Sequence, residues 1–185
     1  MLASGVCGAR SWAFEPAPET VASLKRNISI NGLEELVTIF EIALGARDEE
    51  VYFTAGQDTV NRVLSMASPD ARKVRQQRLD SLIGNHQPIM IKMDVEGHEE
   101  DVLRGGEAIL AKPHLRLIEL ESTSAYTSRL MADYKFTAVY YDPFSRRLSD
   151  EPLGYNADSV FVRDREFVTA RLASAKPVTI FGREI

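Results

Sequence analysis

The sequence predicts an α/β fold, a sheet with helices on both faces. Three observations carry that expectation. Short apolar, β-branched segments alternate with segments of helical period along most of the chain. Residues 11–44 read as strand, helix and strand, with connections short enough for a parallel pair and a right-handed crossover. The stretch 89–98 begins as a buried strand and turns polar towards its carboxyl end, where open α/β sheets bind their ligands.

Residues 11–15, Ser-Trp-Ala-Phe-Glu, form the first expected strand. Pro16 and Pro18 end it and suit the first turn of a helix, where a missing N–H costs nothing. Val21, Leu24 and Ile28 recur at helical spacing, and Asn31-Gly32 is a stop signal. Residues 37–44 make the next strand, and 49–54 a short extra one. Residues 55–78 are the least readable. Arg72, Lys73, Arg75 and Arg78 read first as a solvated face or mobile loop and, alternatively, as a basic lid. Residues 79–83 suggest a short helix before the central strand. After Gly97, one helix is expected over 99–111, burying Val102, Leu103, Gly106, Ile109 and Leu110. Gly105-Gly106 inside it costs about 1 kcal/mol per glycine against alanine, which a close approach to the sheet would offset. Strands follow at 115–120, 136–141 and 159–162, with helices at 124–134 and 165–173. Residues 144–156 read as a polar loop, and 178–181 as an edge strand.

The chain has 185 residues, 44% hydrophobic and 26% charged, which suits one domain, 1–185, with a real core. A net charge of −5 argues against a general nucleic-acid binder. Cys7 is the only cysteine, so no intrachain disulfide forms, and a reducing, cytoplasmic setting is expected. No run of 18 apolar residues exists to span a membrane.

Glu15 ends a strand that leads into a helix, the position from which an acid accepts hydrogen bonds from ribose hydroxyls. A surface acid at a strand end would look the same. Asp94 and Glu121 end two strands expected to be neighbours, about 4.8 Å apart. Such a pair could act as general base, hold a substrate hydroxyl or bind a divalent cation. Without a certain third ligand, no metal site is assigned. His98 is a candidate base by its intrinsic pKa, and equally a solvated helix-start residue.

Ala13-Phe14-Glu15-Pro16, Leu24, Asn27, Asn31-Gly32, Ala43-Leu44, the stretch from Ile91 to Glu99, Val102 to Gly105 and the segment from Asn156 to Val162 together resemble the FkbM-type methyltransferases. The Lys92-x-Asp94-x-Glu96-Gly97-x-Glu99 pattern is the specific part. The resemblance runs from about residue 11 to 163. It implies a Rossmann-like class I methyltransferase sheet, S-adenosylmethionine as cofactor, and O-methylation of a hydroxyl acceptor. Saccharide, polyketide, lipid and peptide hydroxyls all stay open. It also implies site residues: Glu15 at the ribose, Ala43 and Leu44 against the adenine, and Asp94 at the reacting centre, with Glu96 and His98 shaping it. Acceptor contacts would fall in 55–78 and 143–157.

The resemblance further implies a first strand and a glycine-rich loop ahead of the Glu15 strand. The sequence shows neither ahead of Glu15, so a truncated start and a weak or inactive chain are expected. Without that strand, the Glu15 and Asp94 strands must pair directly or leave a gap between them. The alternative function is a non-catalytic domain of the same fold, kept for binding or oligomerisation. A nicotinamide-dependent oxidoreductase shares the Glu15 logic but leaves 92–99 without a role.

Overall fold

The computed structural model describes residues 2–54, 62–64, 66–69, 71–152, 158–177, 179–180 and 183–184. The architecture is mixed α/β. Its largest sheet has five strands in the order β10-β9-β11-β8-β7. They are β7 (Met90–Met93), β8 (Leu117–Leu120), β9 (Thr137–Asp142), β10 (Arg147–Ser149) and β11 (Ser159–Val162). β7 and β8 are parallel, and β11 lies antiparallel between β8 and β9.

The core lies against this sheet. Leu115, Ile118, Leu120 and Met131 have no exposed surface. Burying each such side chain contributes about 1.5–3 kcal/mol. Ile118 and Leu120 alternate with Leu117 and Glu119, the period of a strand with one face fully covered. The helix α6 (Ala125–Asp133) closes this layer with Met131, and starts at a capping box between Ser124 and Thr127. Arg163, just past β11, donates to the carbonyls of Leu110, Lys112 and Tyr134 and lies over the Phe136 ring. One guanidinium thus satisfies carbonyls at the ends of two helices, groups that have no partner within a helix.

A second sheet pairs β1 (Ser11–Phe14) with β2 (Val37–Phe40), in parallel and joined by α2 (Pro18–Ile30). This is the expected strand-helix-strand unit. A third sheet has the order β3-β6-β4-β5, from β3 (Ala43–Leu44), β4 (Glu49–Thr54), β5 (Val63–Leu64) and β6 (Ala71–Gln77). Thr179–Ile180 pairs with Arg183–Glu184 in a ribbon of its own.

Four expectations need correction. The strand expected over 37–44 is two strands, interrupted at Glu41-Ile42, and the second joins a different sheet. The basic run Arg72, Lys73 and Arg75 is a partly solvated strand face, not a loop or lid: it lies in β6, paired along its length with β4. Arg72 and Lys73 find Glu19 and Glu50 as ion partners. The helix expected over 99–111 is two, α4 (Glu99–Arg104) and α5 (Glu107–Leu110). A Cβ on Gly105 would sit 2.0 Å from the Gly45 carbonyl oxygen, so only glycine fits at the corner between them. A helix, α1 (Leu2–Cys7), precedes β1 and was not expected. Of the loop expected over 144–156, part forms β10, and 153–157 lie outside the described residues.

The Glu15 and Asp94 strands do not pair directly. Among the described residues β1 pairs only with β2, and β7 only with β8. Side chains bridge the two sheets. Trp12, Phe14, Ile91 and Val95 pack on one apolar core, and the Trp12 ring lies 4.6 Å from His86.

Candidate active site

The polar end of β7 is built by strand register. Lys92 is opposite Glu119 and Met93 opposite Leu120. The ladder runs one step further, because Glu121 N–H donates to the Met93 carbonyl at 3.3 Å. That bond sets Asp94 and Glu121 side by side. The backbone then turns sharply, with φ of +50° at Glu96 and +89° at Gly97. A non-glycine residue there costs of order 1–3 kcal/mol, a strain that clusters at functional sites. The turn brings Glu96 back, so that carboxylate oxygens of Asp94, Glu96 and Glu121 lie within 4.8 Å of one another. Glu96 is therefore the third carboxylate that the strand pairing alone does not supply.

The electrostatics follow from that crowding. A hydrogen bond with Asp94 pushes the Glu121 carboxyl above its ordinary range, and the charges of Asp94 and Glu96 push it further. Two like charges in contact share a proton in preference to both ionising. Three oxygen donors of this kind suit a hard cation or a cationic ligand.

His98 faces another partner. The Gln76 amide donates to the Arg47 carbonyl at 3.2 Å, which leaves its oxygen to accept from His98 Nε2, also at 3.2 Å. The remaining ring nitrogen, Nδ1, is 3.6 Å from Asp101. Burial holds the imidazole below its usual pKa, against the opposing pull of Asp101 and Glu99. Among the described residues no hydrogen bond or ion pair joins His98 to the three carboxylates. Gln76, 4% exposed, is the residue that sequence reasoning missed. It sits opposite Ala43 in the β3–β6 register and so connects the expected adenine strand to the start of α4. Ala43 is buried, and Leu44 packs half-buried against the main core.

Glu15 extends the β1–β2 ladder by donating its N–H to the Phe40 carbonyl at 3.0 Å. Its Oε1 accepts from the Ala17 N–H at 2.7 Å. Burial pushes this carboxyl above its ordinary range, and the Ala17 bond works against that rise.

Glu99, the last residue of the Lys92-to-Glu99 pattern, opens α4. It is 4% exposed, and its Oε1 has no hydrogen-bond partner among the described residues. An unpaired buried polar atom generally costs about 1–3 kcal/mol. It lines a cavity of about 280 Å³ with Glu100, Asp101, Arg104, Ser122 and Thr123. The burial could not be read from the sequence, because neighbouring Glu100 and Asp101 are more exposed.

An α/β chain with acids gathered just past parallel strand ends belongs to the class that binds a ligand across its sheet rim. The Methyltransferase FkbM domain matches residues 3–140, and the chain belongs to that family. Its fold is similar to that of the methyltransferase FkbM from Methylobacillus flagellatus KT, solved by crystallography at 2.20 Å, with a TM-score of 0.51 and 16% identity. That likeness, one of fold, covers 83% of this chain and 36% of the other, so this chain spans about a third of that protein's length. No curated protein sequence matches the chain.

Proposed function

We propose that this chain, as a single domain, is an S-adenosylmethionine-dependent O-methyltransferase of the cytoplasm acting on a hydroxyl acceptor. The observation that carries the reading is the group Asp94, Glu96 and Glu121, with no cation beside it among the described residues, in a chain of the FkbM family. The strand orders β2-β1 and β7-β8-β11-β9 read as two flanks of one Rossmann-like sheet, with a gap where the first strand would lie. No helix among the described residues is long and apolar enough to cross a membrane.

The residues present fit the donor. Glu15 keeps one oxygen on Ala17 and has the other for a ribose diol. Ala43 and Leu44 offer an apolar strand to the adenine. Bound S-adenosylmethionine would supply a methyl group activated by a sulfonium. Asp94 is the base: it takes the proton of the acceptor hydroxyl as the oxygen attacks. Glu121 and Glu96, set beside Asp94, add negative charge that favours a cationic donor. His98, tied to Gln76, orders the wall of the site. Positioned proton transfer of this kind contributes about 10²–10⁴-fold in rate.

A methyl-transfer assay with labelled donor and simple hydroxylated acceptors, run beside Asp94→Ala, tests the reading. A fall of about 10²-fold or more is expected. Equal turnover in the two proteins would remove Asp94 from the mechanism.

A further inference from the structure

We propose that the cavity between the β9–β10 hairpin and α7 (Arg165–Ser174) binds a phosphomonoester carried on a small apolar group. Its volume, about 430 Å³, falls in the range of roughly 300–1,000 Å³ for small-molecule sites. Arg146, Arg147 and Thr169 line it with charge and hydroxyl, Leu148 and Leu172 with hydrocarbon. The site lies past residue 140, where the family match ends. β9 runs parallel to β8 through the antiparallel β11, so the hairpin opens on the same rim as Asp94. Four strand spacings separate β10 from β7, roughly 19 Å across the sheet. An ester of one ring cannot span that gap, so the site is separate from the rim acids and does not rest on the methyl-transfer reading.

The charge balance carries the argument. In a chain of net charge −5, two adjacent arginines line a cavity to which no acid contributes among the described residues. The acids nearby are answered elsewhere. Asp142 stands opposite Arg147 in the β9–β10 register, yet it accepts from the Ser145 hydroxyl at 2.6 Å and from the Phe144 N–H at 3.0 Å. Asp150 pairs with Arg165 at 2.5 Å. Among the described residues the Arg147 side chain has neither an ion pair nor a hydrogen bond. Arg146 donates to the Ala175 carbonyl at 2.6 Å, just past the end of α7. That bond answers the negative end of the helix, which would otherwise oppose an anion, and leaves the other N–H groups of the fork unused. Arg146 also holds a φ of +54°, a conformation that favours glycine, so its side chain is kept at a cost in strain.

Two guanidinium groups match the double charge of a phosphomonoester better than the single charge of a carboxylate or a phosphodiester. Their planar forks pair with two phosphate oxygens at once. The Thr169 hydroxyl, without a hydrogen bond among the described residues, is a further donor. Leu148 and Leu172 pack half-buried against the small core of Val139, Val160, Val162 and Val168. They give the group that carries the phosphate an apolar wall. A soluble ester and an anionic lipid headgroup share this chemistry. In the second case Phe144, 64% exposed on the same turn, would meet hydrocarbon.

Titration of the ¹⁵N-labelled chain with phenyl phosphate, phenol and inorganic phosphate tests the site. Phenyl phosphate is expected to move amide resonances within 144–149 and 169–175, with a Kd about tenfold below either part alone. Arg147→Gln removes a guanidinium that has no partner to lose among the described residues. It is expected to raise that Kd about tenfold without lowering the melting temperature. Phenol or inorganic phosphate binding as tightly as phenyl phosphate, shifts elsewhere, no shifts, or an unchanged Kd in Arg147→Gln would overturn the proposal. The comparison of the three probes on the unaltered chain decides the matter even if the variant does not fold. Co-sedimentation with phosphatidylcholine vesicles, with and without phosphatidic acid, separates the sources once phenyl phosphate has bound. Sedimentation that needs both phosphatidic acid and Arg147 supports the site with the ester on a lipid. No sedimentation supports it with the ester on a soluble molecule.

Discussion

Two cross-strand positions, two residues apart at the ends of β7 and β8, both carry acids and are treated differently. Lys92 stands opposite Glu119 in the β7–β8 register. Its ammonium reaches Glu119 at 2.7 Å and Asp158 at 2.6 Å. One step further along the strands, Asp94 and Glu121 meet with Glu96 and no cation among the described residues. Burial alone would lower the Lys92 pKa, but the bonds to Asp158 and Glu119 outweigh it and raise it. On the rim the shift falls on an acid, Glu121, which is made harder to ionise. The inner group has a cation between its two acids and ties β7 and β8 to the residue just before β11. The rim group is open, and its geometry costs strain at Glu96. An arrangement kept at a cost to stability points to a ligand that supplies the missing charge.

Variants that exchange these roles test the contrast. The largest effect belongs to the rim: Asp94→Ala is expected to remove methyl transfer while the thermal midpoint holds or rises. A fall in both together would make Asp94 a structural residue. The inner group is expected to behave in the opposite way. Lys92→Met leaves Glu119 and Asp158 facing each other without their cation. Since all three side chains retain solvent contact, the loss is about 1 kcal/mol in denaturant unfolding, with donor binding unchanged.

Smaller effects follow from the titrations. The raised pKa of Glu121 means that the folded chain holds this proton more tightly than the unfolded one. Stability from that group is present at acid pH and is lost as pH rises through the folded value. Glu121→Gln is therefore expected to raise the melting temperature at pH 7, with the gain vanishing below the ordinary carboxylate range. His98 has the reverse sign. Its folded pKa is depressed, so stability declines as pH falls through about 6.5, where the unfolded ring takes up its proton. His98→Gln is expected to flatten that decline in melts between pH 5 and 8, a range set by the imidazole titration.

Where a segment's structure is set by its own period, it was legible in the sequence. The strand at 159–162 and the helix 79–83 lie where the apolar pattern put them. Distant contacts decided the rest. Position 105 must be glycine because a carbonyl some sixty residues earlier in the chain occupies the space a side chain would need. The alternation in β6 is hidden by Arg72, Lys73 and Arg75, whose partners on α2 and β4 make a charged strand tolerable. Of the site, Asp94 and Glu121 were readable as strand ends. The return of Glu96 depends on a left-handed backbone that no sequence signal announces. The Gln76–His98 bond needs β6 to lie beside the start of α4.

The central claim is that the open carboxylate group and Glu15 receive the two ends of one cationic nucleotide. The most direct test is an NMR titration of the ¹⁵N-labelled chain with S-adenosylmethionine, which reads contacts even when affinity is low. Shifts are expected at 15–17, 43–45, 94–98 and 121, all moving with a single Kd, and weakened together in Asp94→Asn. Shifts confined to one of these segments, or an Asp94→Asn chain that responds like the unaltered one, would contradict the account.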